Sequence, residues 1–194
     1  MGSEFFSGGT PSETQTKEQT ARQDLQFLRF HLMPDTTALL PVHQMTEVLT
    51  MAISQVLPIP HMPAWVMGVY NWRGEILWMV DLGHLVGLTP LYQQANSRST
   101  YTTIVIHSSQ QVPGRQRAGS PLTGSKTLGL LVNRVEDMEW CNPDLIQLPP
   151  QSAIPNKLVP FLRGYWLKSN GELLMVLDGK PIIAGMSQPE VATG

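Results

Sequence analysis

From Leu25 onward, apolar residues come in short bursts separated by turn-forming residues, the spacing of a chain built mainly from strands. In the first burst Leu28, Phe30 and Leu32 alternate with Arg29 and His31, which predicts a strand with one solvated face, ended by a turn at Pro34-Asp35. Further strand-length runs follow at 39–42, 66–70, 76–80, 102–107, 128–132 and 173–177, most of them punctuated by Gly, Pro or Asn. Helical signals are sparse. They predict one helix over 47–55 and a short one after Asp81, whose carboxylate is placed to cap the amides of residues 82–84. Short strands at turn-punctuated intervals predict a small barrel or sandwich.

One stretch repeats. Gly74-Glu75-Ile76-Leu77-Trp78-Met79-Val80-Asp81 aligns without a gap on Gly171-Glu172-Leu173-Leu174-Met175-Val176-Leu177-Asp178, about half a chain length later. A Gly-led turn feeding an apolar strand that ends in Asp is therefore expected once in each of two similar halves. The competing reading is chance likeness between two buried strands. Residues 1–24 are rich in Ser, Thr, Gln, Glu and Gly and are expected to form a flexible tail, its first five residues set aside as a cloning remnant. Residues 108–127 hold almost no large apolar group between two strong strand candidates and are expected to form an extended, exposed loop.

Composition narrows the function. In 194 residues, 13 Lys and Arg stand against 15 Asp and Glu, a net charge of -2, so no global basic field is available for nucleic acid or anionic lipid. Only 14% of residues are charged, against about 25% in an average globular protein, and 42% are hydrophobic, so part of the surface must be neutral or apolar. Such a surface suits protein partners, although a neutral exterior of Gln, Ser and Thr would satisfy the same numbers. Cys141 is the single cysteine, which excludes an intrachain disulfide and reads as a packed small hydrophobe in a reducing compartment. No stretch approaches the roughly 20 apolar residues that span a bilayer, and the expectation is a cytoplasmic protein without membrane insertion.

A search for chemistry finds little. The segment from Gly119 to Thr127 nearly spells a phosphate-binding loop, but Ser125 stands where the lysine must follow the second glycine. His31, His43, His61, His84 and His107 occur singly, without the spacing of a metal site, and each reads as a surface or turn residue. On a period-two strand Asp137 and Glu139 would share a face with Glu136 opposite, a solvated arrangement rather than an acid–base pair. The expectation is a protein with no catalytic residues, no metal and no cofactor. Trp72-Arg73 places a guanidinium beside a large apolar surface.

Several blocks, in order, resemble the CheW family of chemotaxis coupling proteins: Glu47-Val48-Leu49; residues 57–63; Gly68 through Leu82; Ile104-Val105-Ile106; Gly129 through Val135; Phe161-Leu162-Arg163-Gly164; and Leu173 through Asp178. The resemblance covers about residues 25–185. It implies a mainly β fold of two small SH3-like five-stranded barrels with short helices, one domain over 25–188, with about 25–90 and 100–188 as the two barrel regions and strands open to exchange between them. It further implies a non-catalytic adaptor between the helical tip of a methyl-accepting chemotaxis-type receptor and a CheA-type histidine kinase. Carried over position by position, the receptor-binding set is Met45, Glu47, Gly68, Arg73, Gly129, Val135 and Met138. Trp72, where many members carry Leu, and the run 71–88 look like the cyanobacterial branch that serves phototaxis and pilus motility. Asn133 departs from the acidic residue usual in its motif, and the 108–127 loop is longer than the usual hairpin. Two alternatives remain at this stage, a detached CheW-like regulatory domain of a histidine kinase and a small-barrel nucleic-acid module. The tail at 1–24 favours a free-standing adaptor over the first, and the acidic balance disfavours the second.

Overall fold

A computed structural model describes residues 24–94, 99–108 and 127–186, so the expected tail and most of the expected loop lie outside the described residues. The strands are β1 (Leu25–Met33), β2 (Thr36–Pro41), β3 (Met45–Ala52), β4 (Val66–Trp72), β5 (Glu75–Asp81), β6 (Thr100–His107), β7 (Thr127–Val132), β8 (Arg134–Cys141), β9 (Leu162–Leu167) and β10 (Leu173–Leu177). Two short helices, α1 (Leu82–Leu85) and α2 (Gly179–Gly185), follow β5 and β10. The strands form two five-stranded sheets, ordered β8-β1-β2-β10-β9 and β3-β6-β7-β5-β4. Neither sheet is a contiguous piece of chain: β1 and β2 join β8, β9 and β10, whereas β6 and β7 join β3, β4 and β5.

The sequence echo is a structural repeat. β5 and β10 each pair antiparallel with the preceding strand and parallel with a strand from the other half, β7 and β2 respectively. β5 ends in, and β10 is followed by, an aspartate that caps the next helix, Asp81 accepting from the His84 amide and Asp178 from the Lys180 amide. The amides of Asp81 and Asp178 in turn donate to the carbonyls of Trp65 and Phe161, both at 2.9 Å. Burial pushes the carboxyl of Asp81 above its ordinary range, against the opposing effect of hydrogen bonds from the Leu91 and His84 amides.

Three apolar clusters organise the molecule. The central one lies between the sheets, with Leu28, Phe30 and Leu40 from one meeting Val80, Ile104 and Leu130 from the other. Leu77, Met79, Val105 and Leu131 fill the barrel of the β3–β7 sheet, and Phe27, Leu39, Cys141, Leu174 and Val176 fill the other. The inner strands β1, β2, β10, β6, β7 and β5 therefore bury both faces, each fully buried large side chain contributing about 1.5–3 kcal/mol. Among the described residues no helix is long and apolar enough to cross a membrane.

Two expectations are corrected here. Residues 47–55 are not a helix: β3 runs through Ala52 and a 3-10 turn occupies Ile53–Gln55. Glu47, Leu49 and Met51 point inward while Thr46, Val48 and Thr50 are exposed, and pairing with β6 satisfies the β3 backbone. β1 has no solvated face either. It lies between β2 and β8, so the face carrying Phe27, Arg29 and His31 closes on its barrel interior, and His31 is buried rather than a surface residue.

Candidate partner-binding surface

Three of the seven expected site residues lie on one register row across the second sheet. Glu47 on β3 pairs with Val105 on β6, Val105 with Gly129 on β7, Gly129 with Met79 on β5, and Met79 with Gly68 on β4. The row is structural at its glycine end. A Cβ on Gly129 would lie 2.7 Å from the Met79 sulfur, and one on Gly68 would lie 2.2 Å from the Leu57 carbonyl oxygen. Both glycines are buried, so they shape the barrel wall and do not reach a partner directly.

The other end of the row is a surface feature. The Glu47 carboxylate accepts from the Trp72 indole through Oε1 and from the Arg73 guanidinium through Oε2, the latter at 2.7 Å. The guanidinium also lies over the Trp72 ring, 5.1 Å from its centroid. Trp72 pairs with Glu75, which leaves Arg73-Gly74 as a two-residue turn with φ of 54° and 85°. This is the hairpin geometry that needs positive φ at both central positions, and Asn71 supports it by accepting from the Gly74 amide. An arginine here carries a backbone cost of about 1–2 kcal/mol that glycine would avoid. Its side chain is 67% exposed, so burial does not offset that cost.

Met45 and Val135, at the starts of β3 and β8, are half-buried against the central cluster. Met138 is exposed, and its sulfur accepts from Gln26. The structure thus joins Glu47 directly to Arg73, places Met45 and Val135 on the shared core, and sets Met138 on the outer face of the first sheet. Sequence reasoning missed that Trp72 is the second clamp on Glu47; its indole N–H beside Arg73 was the available signal.

The second barrel holds an ionic cluster that was not expected. Arg29 occupies the row position equivalent to Val105 and meets Glu136 at 2.6 Å, Glu139 at 3.3 Å and Glu172 at 2.5 Å. Lys168 reaches Glu139 at 2.8 Å, while His31 and Arg134 both contact Glu136. Glu136 and Glu139 therefore share this cluster, and Asp137 is the exposed member. The expected alternation is overturned by a bulge where β8 shifts register against Leu28 and Phe30. The Glu136 carboxyl is held below its ordinary range by the hydrogen bond with His31, reinforced by the charges of His31, Arg29 and Arg134. Glu139 is lowered chiefly by its hydrogen bond from Lys168. Burial pushes the Cys141 thiol up to about 11, leaving an inert packed side chain.

Asn133 has a specific partner. Its Nδ2 donates to Gln94 Oε1 at 2.8 Å, and the Gln94 amide nitrogen is committed to the carbonyls of Leu32 and Thr89. A carboxylate at 133 would face an oxygen that cannot donate. Asn133→Asp is expected to cost about 1–3 kcal/mol, readable as a lowered urea midpoint that a second change, Gln94→Lys, restores in part.

A family model of the CheW-like domain matches residues 26–185. The chain belongs to the CheW family. The CheW-like fold is similar in three dimensions to the crystal structure of scaffolding protein TtCheW from Thermoanaerobacter tengcongensis, with a TM-score of 0.59 and 18% sequence identity. That likeness covers 79% of this chain and 88% of that chain. No curated protein matches significantly. Within the CheW-like architecture of two SH3-like barrels, the Glu47–Trp72–Arg73 cluster lies on the barrel built from β3 to β7.

Proposed function

We propose that this CheW-family chain is a non-catalytic signalling adaptor that couples a methyl-accepting chemotaxis-type receptor to a CheA-type histidine kinase in the cytoplasm. The observation that carries the reading is Arg73. A largely exposed arginine is held in a turn conformation that disfavours it, oriented by Glu47 and Trp72. Strain retained at an exposed position is the mark of a residue kept for recognition. Arg73 and Glu47 would set the polar edge of the receptor surface, with Met45, Val135 and Met138 as its apolar part and Gly68 and Gly129 shaping the wall behind it.

The kinase would engage a barrel end. Ile76 and Leu173 hold equivalent places in the repeat and are 71% and 58% exposed. Leu173 pairs across the hairpin with exposed Leu167, giving an apolar patch suited to a partner of the same fold. Assignment to the phototaxis branch rests on Trp72 and the run 71–88, and loss of light-directed motility on deletion is its test.

Arg73→Glu is expected to weaken binding of a receptor-tip hairpin at least tenfold by calorimetry, with stability within about 1 kcal/mol of the original because the lost pair is exposed. Arg73→Gly should lose binding similarly while fitting the turn better. Glu47→Arg is a less clean variant, since it also strips the half-buried Trp72 indole of its acceptor, at about 1–3 kcal/mol. Unchanged receptor affinity in both Arg73 variants would remove the assignment.

A further inference from the structure

The internal repeat also creates a concave site. A groove of about 780 Å³ is lined by matching elements of the two halves: residues of α1 and of α2, and Trp65 and Phe161, whose carbonyls accept the equivalent bonds from the Asp81 and Asp178 amides. Its volume lies within the roughly 300–1,000 Å³ of small-molecule sites. None of the seven residues assigned to the receptor lines it.

Its walls are apolar, with Trp65, Phe161, Ile182 and Met186 among them, and its ionisable groups are all basic: His61, His84 and Lys157, with no carboxylate in the lining. The Asp81 carboxylate behind His84 is bound to the His84 and Leu91 amides and does not line the groove. Lys157 makes no ion pair among the described residues, and its stem lies 3.3–3.4 Å from where a Cβ on Gly87 would be, which directs it along the end of α1. His84 lines the groove from α1, with its Nδ1 buried away from the opening. His61 is held at a φ of 61° and, with Arg73, is one of two non-glycine residues at positive φ among the described residues. A strained exposed histidine and a lysine without an ion pair among the described residues thus stand at one apolar groove.

We propose that this groove binds an amphiphilic organic carboxylate, its apolar body between Trp65 and Phe161 and its carboxylate among Lys157, His61 and His84. The charge complementarity selects an anion, and the paired aromatic walls select an apolar body.

Calorimetric titration of the full chain with dodecanoate, below its micelle concentration, tests this against dodecanol and dodecyltrimethylammonium. The expected result is one site, with dodecanoate at least tenfold tighter than either comparator. Lys157→Glu, an exposed change outside the core, should abolish that preference while leaving receptor-tip binding intact, and His61→Gly should weaken dodecanoate binding without loss of stability. Equal affinity for all three amphiphiles, affinity unaltered by Lys157→Glu, no binding at submillimolar dodecanoate, or binding only of an acidic amphipathic peptide would each overturn the proposal. Because receptor binding is read separately, failure here leaves the adaptor reading untouched, and the reverse holds too.

Discussion

Replacing Gly68 with alanine is expected to lower stability by more than about 3 kcal/mol, a fall in the melting midpoint of about 6–12 °C for a domain of this size. Two causes add. The backbone at Gly68 has φ of 135°, a region open in practice only to glycine, and the new methyl would fall 2.2 Å from the Leu57 carbonyl oxygen and 2.9 Å from Pro58 Cα. Those are backbone atoms, and Leu57 exchanges both of its hydrogen bonds with Val69, so the neighbour cannot withdraw without breaking the bridge. The repeat supplies an internal control. Gly164 stands in the same relation to Gln147, whose carbonyl oxygen would be 2.8 Å from its Cβ, and Gly164→Ala should be next most damaging. Gly74→Ala and Gly171→Ala, with φ of 85° and open space around them, should cost only about 1–2 kcal/mol. Urea unfolding of the four variants gives the ranking, and Gly68→Ala no worse than Gly74→Ala would refute the account.

Arg29→Met is the second large effect, about 2–4 kcal/mol. Breaking a fully buried ion pair typically costs about 3–5 kcal/mol, and the lower range here reflects the 18% exposure of the Arg29 side chain. The loss comes less from missing attraction than from Glu136, Glu139 and Glu172 left close together with fewer positive neighbours. The equivalent position in the other barrel is Val105, so an apolar side chain fits the geometry; combining Arg29→Met with Glu139→Leu and Glu172→Leu should recover part of the loss. The pH dependence follows from the same groups. Glu136 and Glu139 are lowered on folding, chiefly by His31 and Lys168, so their contribution is complete above the unfolded value, at about pH 5 and higher, and is lost as pH falls through the lowered folded values. The unaltered protein should lose stability on acidification through that window, and Arg29→Met should show a shallower loss. Equal acid slopes would mean the cluster does not couple to folding.

How far the sequence could be read depended on where each strand sits. Five inner strands were visible at 39–42, 76–80, 102–107, 128–132 and 173–177 because each is buried on both faces and shows dense apolar residues, whereas 28–32 was visible by its alternation with Arg29 and His31, which concealed its second enclosed face. Of the four edge strands only β4 was visible, at 66–70. β3 looked helical, β8 shows only Val135, Met138, Trp140 and Cys141 among its charges, and β9 is interrupted by Arg163 and Gly164. An edge strand needs one apolar face at most, and the β8 bulge removes even the regular alternation.

By itself, the sequence determined the strand-rich class, the twofold echo and the aspartate cap at Asp81, because local periodicity and short-range capping depend on neighbouring residues. Only the tertiary structure decided that strands from the two halves are exchanged, that Trp72 clamps Glu47, that Gly68 and Gly129 flank Met79, and that Arg29 is enclosed by carboxylates from β8 and the β9–β10 hairpin. Each joins residues far apart in the chain through sheet register and barrel closure, and no local pattern encodes the register between strands that meet only when the barrels form. The Trp72-Arg73 dipeptide of the sequence is, in three dimensions, bonded to Glu47 at the end of a row that crosses a whole sheet.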